Sequence, residues 1–487
     1  MIKKTFPHFT IVLLLIIIFS CRKDDMYFES EGLLVFSVDT VLFDTIFTTV
    51  GSSTRQLKVY NPHNKTIRIS SINLSGGSQS KFSINIDGMP AHQAKDIEIR
   101  PKDSMFIFVR VTLDPNSFNT PFVVSDSIMF FTNNKMQQVK LVAWGQNAHY
   151  HTPTHFPYNM SPYSVISSNT TWTNDKPHLV YGWVVVDSSY TLTIEEGAQI
   201  HIHNNSGIWV YNDGSLKVEG TKDKPVVFQG DRLESWYKDL PGQWGRLMYN
   251  GYLFSMGIWL SSGSIDNEID YAIIRNGDTG IRVDTTGNSP NPTLRIRNTI
   301  IENMSTAGIY AQGSYVEGEN LLITNAGIHA LILSIGGSYD FKHCTFANYW
   351  SYSTRQTPSV VINNYYKDIN NNIQLRPLNK AYFGNSIIYG TLEEELLLDK
   401  QTGTAFNFFF DHCLIKTKEA ISDPSHFSNC LKNNDPLFED ISEADYRLRN
   451  NSPALNIGSL SVAADVPFDI LGVNRTASPD LGVYEKE

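Results

Sequence analysis

Four copies of one six-residue pattern constrain this chain more than any other feature. They read YAIIRN (Tyr271–Asn276), NTIIEN (Asn298–Asn303), NLLITN (Asn320–Asn325) and HCTFAN (His343–Asn348), and their closing asparagines lie 27, 22 and 23 residues apart. A recurrence of roughly 20–30 residues with one short strand per repeat marks a stacked solenoid, whose coils bury apolar faces only against their neighbours. NSIIYG (Asn385–Gly390) and DHCLIKT (Asp411–Thr417) extend the series as degenerate coils. Strands stacked about 4.8 Å apart turn each pattern position into a column. The fourth position (Ile274, Ile301, Ile323, Phe346, Ile388, Ile415) is apolar throughout, as an interior column must be. The second (Ala272, Thr299, Leu321, Cys344, Ser386, Cys413) suits mostly small, buried residues, and the freely varying fifth (Arg275, Glu302, Thr324, Ala347, Tyr389, Lys416) suits an outward one. The sixth position is the Asn column, and stacked amides there are expected to form an internal ladder that satisfies buried polar groups. The third position is also apolar, which simple in–out alternation does not explain.

Upstream, between residues 31 and 148, the period is two. Leu57 and Val59, Ile67 and Ile69, Phe82, Ile84 and Ile86, Ile97 and Ile99, then Val109, Val111 and Leu113, and finally Val139, Leu141 and Ala143 alternate with polar neighbours. Turn-formers such as Asn61-Pro62, Gly76-Gly77 and Asp114-Pro115 separate the runs, the pattern of an antiparallel β-sandwich. KVYNPHNKTIRISSINL followed by FSINIDG resembles the Ig-like modules of exported and ciliary proteins, a likeness of fold that carries no activity. Residues 149–178, rich in His, Pro, Asn, Ser and Thr, show no period and read as a linker.

A chain of 487 residues exceeds one compact core, so more than one unit is expected. A net charge of −10 argues against nucleic acid, whose binding relies on clustered Lys and Arg. Lys3 and Lys4 precede the apolar run Ile11–Phe19, about half the ~20 residues a spanning helix needs. Ile18-Phe19-Ser20-Cys21 matches a lipoprotein cleavage box, so residues 1–20 read as a signal peptide and Cys21 as the acylated N-terminus inserted in membrane lipid. Cys21-Arg22-Lys23-Asp24-Asp25 resembles the export signal of Bacteroidetes surface lipoproteins, which implies an outer-membrane anchor facing the cell exterior. Cys344, Cys413 and Cys430 are odd in number and lack zinc-ligand spacing. A coil carrying Ser386 between Cys344 and Cys413 argues against a disulfide joining those two.

GWVVVDSSYTLTIEEGAQIHI (Gly182–Ile202) and GIWVYNDGSLKVEGTKDKPVVF (Gly207–Phe228) resemble the first coils of right-handed parallel β-helices of the pectin-lyase-like superfamily. PGQWGRL (Pro241–Leu247), GIWL, GIRV and GIYA read as continuing the series. Asp435-Pro436-Leu437-Phe438, Asp445-Tyr446-Arg447-Leu448, NSPALNIG (Asn451–Gly458), Gly472-x-x-Arg475 and DLGVYE (Asp480–Glu485) are similar to the C-terminal region of choice-of-anchor Q proteins. That likeness implies a cap over the last coil, with its Asp and Arg residues structural. The expected architecture is all-β: signal peptide 1–20, tether 21–30, Ig-like sandwich 31–148, linker 149–178, parallel β-helix 179–430 and cap 431–487.

Enzymes of this superfamily would need clustered carboxylates, or an acid-lined Ca²⁺ site with a basic partner. Asp266, Glu268 and Asp270 are two apart and share a face on a strand, with Arg282 and Asp284 one coil later; the competing reading is a common structural opening of a coil. His201 and His203 have the spacing of a metal pair, but on so early a coil they read as polar side chains facing solvent, and no metal or cofactor is otherwise indicated. Two insertions carry aromatic rings: Gln229–Gly242 with Trp236 and Tyr237, and Ala347–Asp368 with Trp350 and Tyr352. Rings on loops stack on apolar sugar faces while polar neighbours bond hydroxyls, although they would equally cover the helix exterior. The residues thus favour a surface lipoprotein that binds carbohydrate or another extended ligand without catalysis. The alternatives are a polysaccharide lyase or glycoside hydrolase, and a structural or adhesive protein.

Overall fold

The computed structural model describes residues 32–116, 119, 121–284 and 290–486; the signal segment and Cys21 lie outside them. The chain is all-β and divides after Asn147 into two compact units. The first is an Ig-like sandwich of two five-stranded sheets. Its cause is the two-residue alternation, which sends Leu57, Val59, Ile67, Ile69, Val109 and Val111 (all 0% exposed) into one core. Its pairings are antiparallel except where Lys140–Gln146 runs parallel to Thr40–Phe47 around a bulge at Ala143/Trp144. Buried Asn61 closes one turn by donating to the carbonyls of Lys65, Ile99 and Arg100.

The second unit is a right-handed parallel β-helix. Each coil contributes a strand to three ladders in turn. The third ladder is a separate sheet of nine strands, from Tyr163–Ile166 to Leu396–Asp399. The first ladder starts at Thr170–Trp172 and the second at His149–His151; one-residue bends join these two into a single 19-stranded sheet. Residues 149–178 are therefore the first coil rather than a linker: their strands pair in register with His178–Val180, Trp183–Val186 and Leu192–Ile194. The usual apolar pattern is missing because this end of the core is filled by stacked His151, Trp172 and His178 instead of Val and Ile. PGQWGRL is likewise not a coil. Arg246–Tyr249 pairs antiparallel with Tyr252–Ser255 in a hairpin outside the stack, while Trp244 drops into the core and its indole N–H donates to the Arg275 carbonyl at 2.9 Å.

The columns now have physical causes. Second- and fourth-position side chains point inward, and all six fourth-position residues are 0% exposed. Farther along the stack the core becomes a pile of rings, with Phe341–Phe383, Phe383–Phe410 and Phe410–Phe427 stacked at 5.3, 4.8 and 5.4 Å. The third position points outward but is not wet. Leu322, Ile387 and Leu414 pack beneath Phe438, Tyr446, Leu448, Ala454, Ile470 and Leu481. The C-terminal segment thus lies along the side of several coils of ladder two, rather than over the last coil alone. The same cover buries Thr324 and Ala347 at the fifth position. Asp469, Arg475 and Asp480 knit this segment: Asp469 accepts from the amides of Leu471, Val473 and Glu485, Asp480 from those of Asn456 and Lys486, and Arg475 donates to the Val483 carbonyl.

The amide ladder exists, but at the first position rather than the sixth. Asn298 donates to Asp270 at 2.8 Å, Asn320 to Asn298 at 2.9 Å, Asn385 to His343 at 3.0 Å and Asn429 to His412 at 3.1 Å. First-position residues from Tyr271 to Asn429 have φ of +46° to +52°, the left-handed bend that turns ladder one into ladder two within one residue. Asn tolerates this conformation best among residues with a side chain, which is why it recurs there. At the sixth position Asn276, Asn303 and Asn325 are also left-handed (φ +64°, +56°, +51°), and among the described asparagines of that position only Asn348 bonds across coils, through both backbone groups of Ala326. Those asparagines end strands rather than forming a ladder.

Candidate functional site: the outer face of ladder three

Side chains of the ladder-three strands alternate inward and outward. In GIWV, GIWL, GIRV and GIYA the third residue faces out, and strand register aligns Trp209, Trp259, Arg282 and Tyr310 one above the other. Glycine opens these motifs because neighbouring coils approach closely: a Cβ on Gly280 would lie 2.6 Å from the Gly308 carbonyl oxygen. The column continues through Ile332, Val361 and Leu397. Trp209 and Trp259 stack at 4.5 Å with a 19° angle between rings, and the Arg282 guanidinium sits 4.8 Å from the Tyr310 ring centre. Asp284 orders both groups, accepting from the Trp259 indole N–H at 2.7 Å and from Arg282 Nε at 3.0 Å.

Beside the column, two residues along each strand, lie Asp284, Gln312, Asn363 and Asp399, a polar border. On the other side the hairpin closes a hollow of about 320 Å³ lined by Met160, Leu247, Tyr249, Phe254 and Met256 with the two tryptophans. Buried Asp278 fixes that hairpin. It accepts from Arg246 at 3.2 Å and from the hydroxyls of Ser255, Ser305 and Thr306. Burial alone would raise its pKa, but those bonds outweigh burial and hold it below the usual value.

Of the residues singled out from sequence, Arg282 and Asp284 lie on this face. Asp266, Glu268 and Asp270 share the outer side of ladder one as expected, and they are braced there by charge. Lys217 lies 2.9 Å from Asp266 and 3.4 Å from Glu268, Arg295 is 3.8 Å from Glu268 and 3.1 Å from Glu317, and Asp270 accepts the ladder bond of Asn298. Among the described residues, no three His, Cys, Asp or Glu side chains converge in a way that would hold a metal ion. His201 is buried, which lowers its pKa to about 4, whereas His203 is exposed and bonds Asp231 at 2.7 Å. His343 engages the amide ladder while Cys344 points into the core, where burial pushes its thiol up.

The two aromatic insertions meet each other instead of the tryptophan column. Trp236 is 81% exposed, Tyr237 lies under the Arg232 guanidinium at 4.1 Å, Trp350 packs 5.2 Å from Tyr352, and the Tyr352 hydroxyl donates to the Asp239 carbonyl. Trp209, Trp259 and Tyr310 carry the face and were not singled out from sequence, although the shared third letter of the GIxx motifs is the signal that finds them.

Residues 164–253 match the family model described as a pectate-lyase like β-helix domain. No curated protein matches the chain. Among solved structures, the catalytic unit of a thermostable GH87 α-1,3-glucanase from Streptomyces thermodiastaticus is similar at 9% identity and TM-score 0.28, over 77% of this chain and 76% of that one. The ASH/PapD-like domain 7 of human CEP192 is similar at 7% identity and TM-score 0.17, over 23% of this chain and 84% of that one. A family 123 glycoside hydrolase from Clostridium perfringens is similar at 8% identity and TM-score 0.17; the match spans 23% of this chain and 26% of the hydrolase.

Proposed function

We propose that this protein is a lipid-anchored cell-surface protein whose ladder-three face binds an extended carbohydrate chain without cleaving it. The observation that carries the reading is the in-register column Trp209–Trp259–Arg282–Tyr310, half-buried and bordered by polar side chains. Aromatic faces hold the apolar side of a sugar ring, and the polar border bonds its hydroxyls. The coils repeat at about 4.8 Å, close to the repeat of sugar units in an extended glycan, so a chain running along the helix axis meets an equivalent surface at each coil. A hydrolase is the second reading, favoured by Asp284 beside Arg282 on the same face. Hydrolysis needs two carboxyl groups roughly 5–9.5 Å apart. The next carboxylate in the polar border, Asp399, stands four coils from Asp284, about 19 Å at the ladder spacing.

Retardation of the detergent-solubilised chain in gels containing neutral or acidic polysaccharides, with assays for unsaturated products and new reducing ends, tests this reading. Retardation that Trp259→Ala abolishes, with no products, supports binding; products abolished by Asp284→Asn would replace it with catalysis. The anchor rests on the residues around Cys21. Cys21→Ala should move the protein from the membrane to the soluble fraction, and protease added to intact cells should digest the wild type. Cys21→Ala protein that stays in the membrane, or wild type that resists protease, refutes the anchor or its exposure respectively.

A further inference from the structure

Around the corner from the tryptophan column, over ladder two, lies a second cleft of about 640 Å³, within the roughly 300–1,000 Å³ of small-molecule sites. Its floor is the outward row Arg275, Glu302, Asn303 and Asn325; its walls are Lys238 and Asp239 of the first insertion, Tyr349, Ser351 and Tyr352 of the second, and the turn Ile441–Glu443 of the C-terminal segment. Three stretches of chain far apart in sequence therefore converge on it, and the bond from Tyr352 to Asp239 ties two of them together.

The floor holds groups with unused bonding capacity. Among the described residues, no hydrogen bond or ion pair engages the carboxyl of Glu302 or the side-chain amide of Asn303, and Asn325 uses only its oxygen, on the Tyr446 hydroxyl at 3.4 Å. Burial raises the Glu302 pKa against the pull of Arg275, and Asp239 raises it further. The Glu302 carboxyl therefore stands in the cleft free to accept bonds from a ligand.

We propose that this cleft binds a short neutral saccharide, a chain end or side branch rather than the length of a polymer. Two cations and the three acids Asp239, Glu302 and Glu443 mix on its walls, which favours neither a phosphate nor a metal ion. Amides and hydroxyls that both donate and accept, beside the Tyr349 and Tyr352 rings, match the alternating demands of sugar hydroxyls and the apolar ring face between them. This site is independent of the ladder-three reading, and each stands if the other fails.

Isothermal titration of the full chain with cellotetraose, laminaritetraose, maltotetraose and chitotetraose, with tetragalacturonate as the charged control, tests it. At least one neutral tetrasaccharide should bind, Tyr352→Ala and Glu302→Ala should weaken it by about tenfold or more, and Glu302→Gln, a neutral isostere, should restore most of the affinity. Trp259→Ala, which disables the ladder-three column, should remove any binding there and leave a component that Tyr352→Ala and Glu302→Ala abolish. The proposal is overturned if no neutral tetrasaccharide binds at about 1 mM, if tetragalacturonate binds more tightly, or if Trp259→Ala abolishes binding that Tyr352→Ala and Glu302→Ala spare. Circular dichroism confirms that the variants are folded, which half-exposed Tyr352 (49%) makes a mild demand.

Discussion

Arg355 and Glu395 form an ion pair whose side chains are 1% and 0% exposed. It joins the second aromatic insertion to the start of the strand Leu396–Asp399. The two parallel bonds are 2.8 and 2.5 Å long. Glu395 also accepts from the amides of Ser359 and Leu392 at 2.9 and 2.8 Å, and Arg355 donates to the carbonyls of Thr357 and Asn348. Removing one ion from such a pair leaves the other buried without a counter-charge, at a cost of about 3–5 kcal/mol. Arg355→Met, which keeps most of the volume, should lose that amount. Glu395→Gln still accepts one guanidinium bond and should lose about 1.5–3 kcal/mol. Arg355→Met/Glu395→Leu should lose less than the sum of its singles by about 1–3 kcal/mol, because no charge is left stranded. Hydrogen exchange of peptides covering residues 349–364 isolates the local opening, and denaturation of the full chain reads the global effect. Single variants within about 0.5 kcal/mol of wild type, or a strictly additive double variant, would refute the reasoning.

Asn320→Ala removes the bonds to Asn298 and to the Phe468 carbonyl and leaves Ala in a left-handed conformation. It should lose about 2–4 kcal/mol by denaturation, against about 1–2 kcal/mol for Asn325→Leu at the sixth position; the reverse order would return the ladder to that position. Gly318 faces Phe341 in the core, and a Cβ there would lie 2.6 Å from that ring. Gly318→Ala should therefore lose about 1–3 kcal/mol, and an unchanged melting temperature would show that the ring pile has slack. His151 and His178 at the first coil titrate at about 3 and about 4 instead of 6.5, chiefly through burial, with His149 and, for His151, His178 pushing the same way; Asp175 pulls His178 up. Between those values and 6.5 the unfolded chain binds more protons, so this stability is full above about pH 6.5 and is lost as pH falls toward 4. At about 1.36 kcal/mol per unit, His178 alone contributes about 3 kcal/mol, and peptides 149–180 should exchange faster at pH 4.5 than at pH 7 after correction for intrinsic rates.

The coil pattern was readable because stacking repeats the same demand at each coil, so Ile274 to Ile415 stand out in any alignment of the chain with itself. Two things hid the rest. Asn serves both the bend at Asn298 and the strand end at Asn303, so residue type alone does not tell a ladder from a stop. The apolar third position is explained by the C-terminal segment, whose Phe438 and Tyr446 share one cluster with Leu322, Ile387 and Leu414, packing that no local period encodes. The first coil carries no aliphatic period because rings and histidines replace branched aliphatics at the end of the stack. Asp266, Glu268 and Asp270 have the two-residue spacing of a catalytic cluster, but cross-strand cations on Lys217 and Arg295 account for that spacing. The tryptophan column comes from residues 50, 23 and 28 positions apart, and only the register of the strands brings them into line.

Chain-length dependence of binding is the most direct measure of the central claim, an extended glycan lying along the coils. A homologous series of oligosaccharides from whichever polysaccharide retards the protein would be titrated, following the fluorescence of the Trp209–Trp259 pair. The column from Trp209 to Leu397 spans seven coils. Affinity should climb with each added sugar up to about seven units, one per coil of about 4.8 Å, then level off, and Trp259→Ala should remove the early part of the climb. Affinity that is already maximal for a disaccharide, or a series unaffected by Trp209→Ala and Trp259→Ala, would contradict the account.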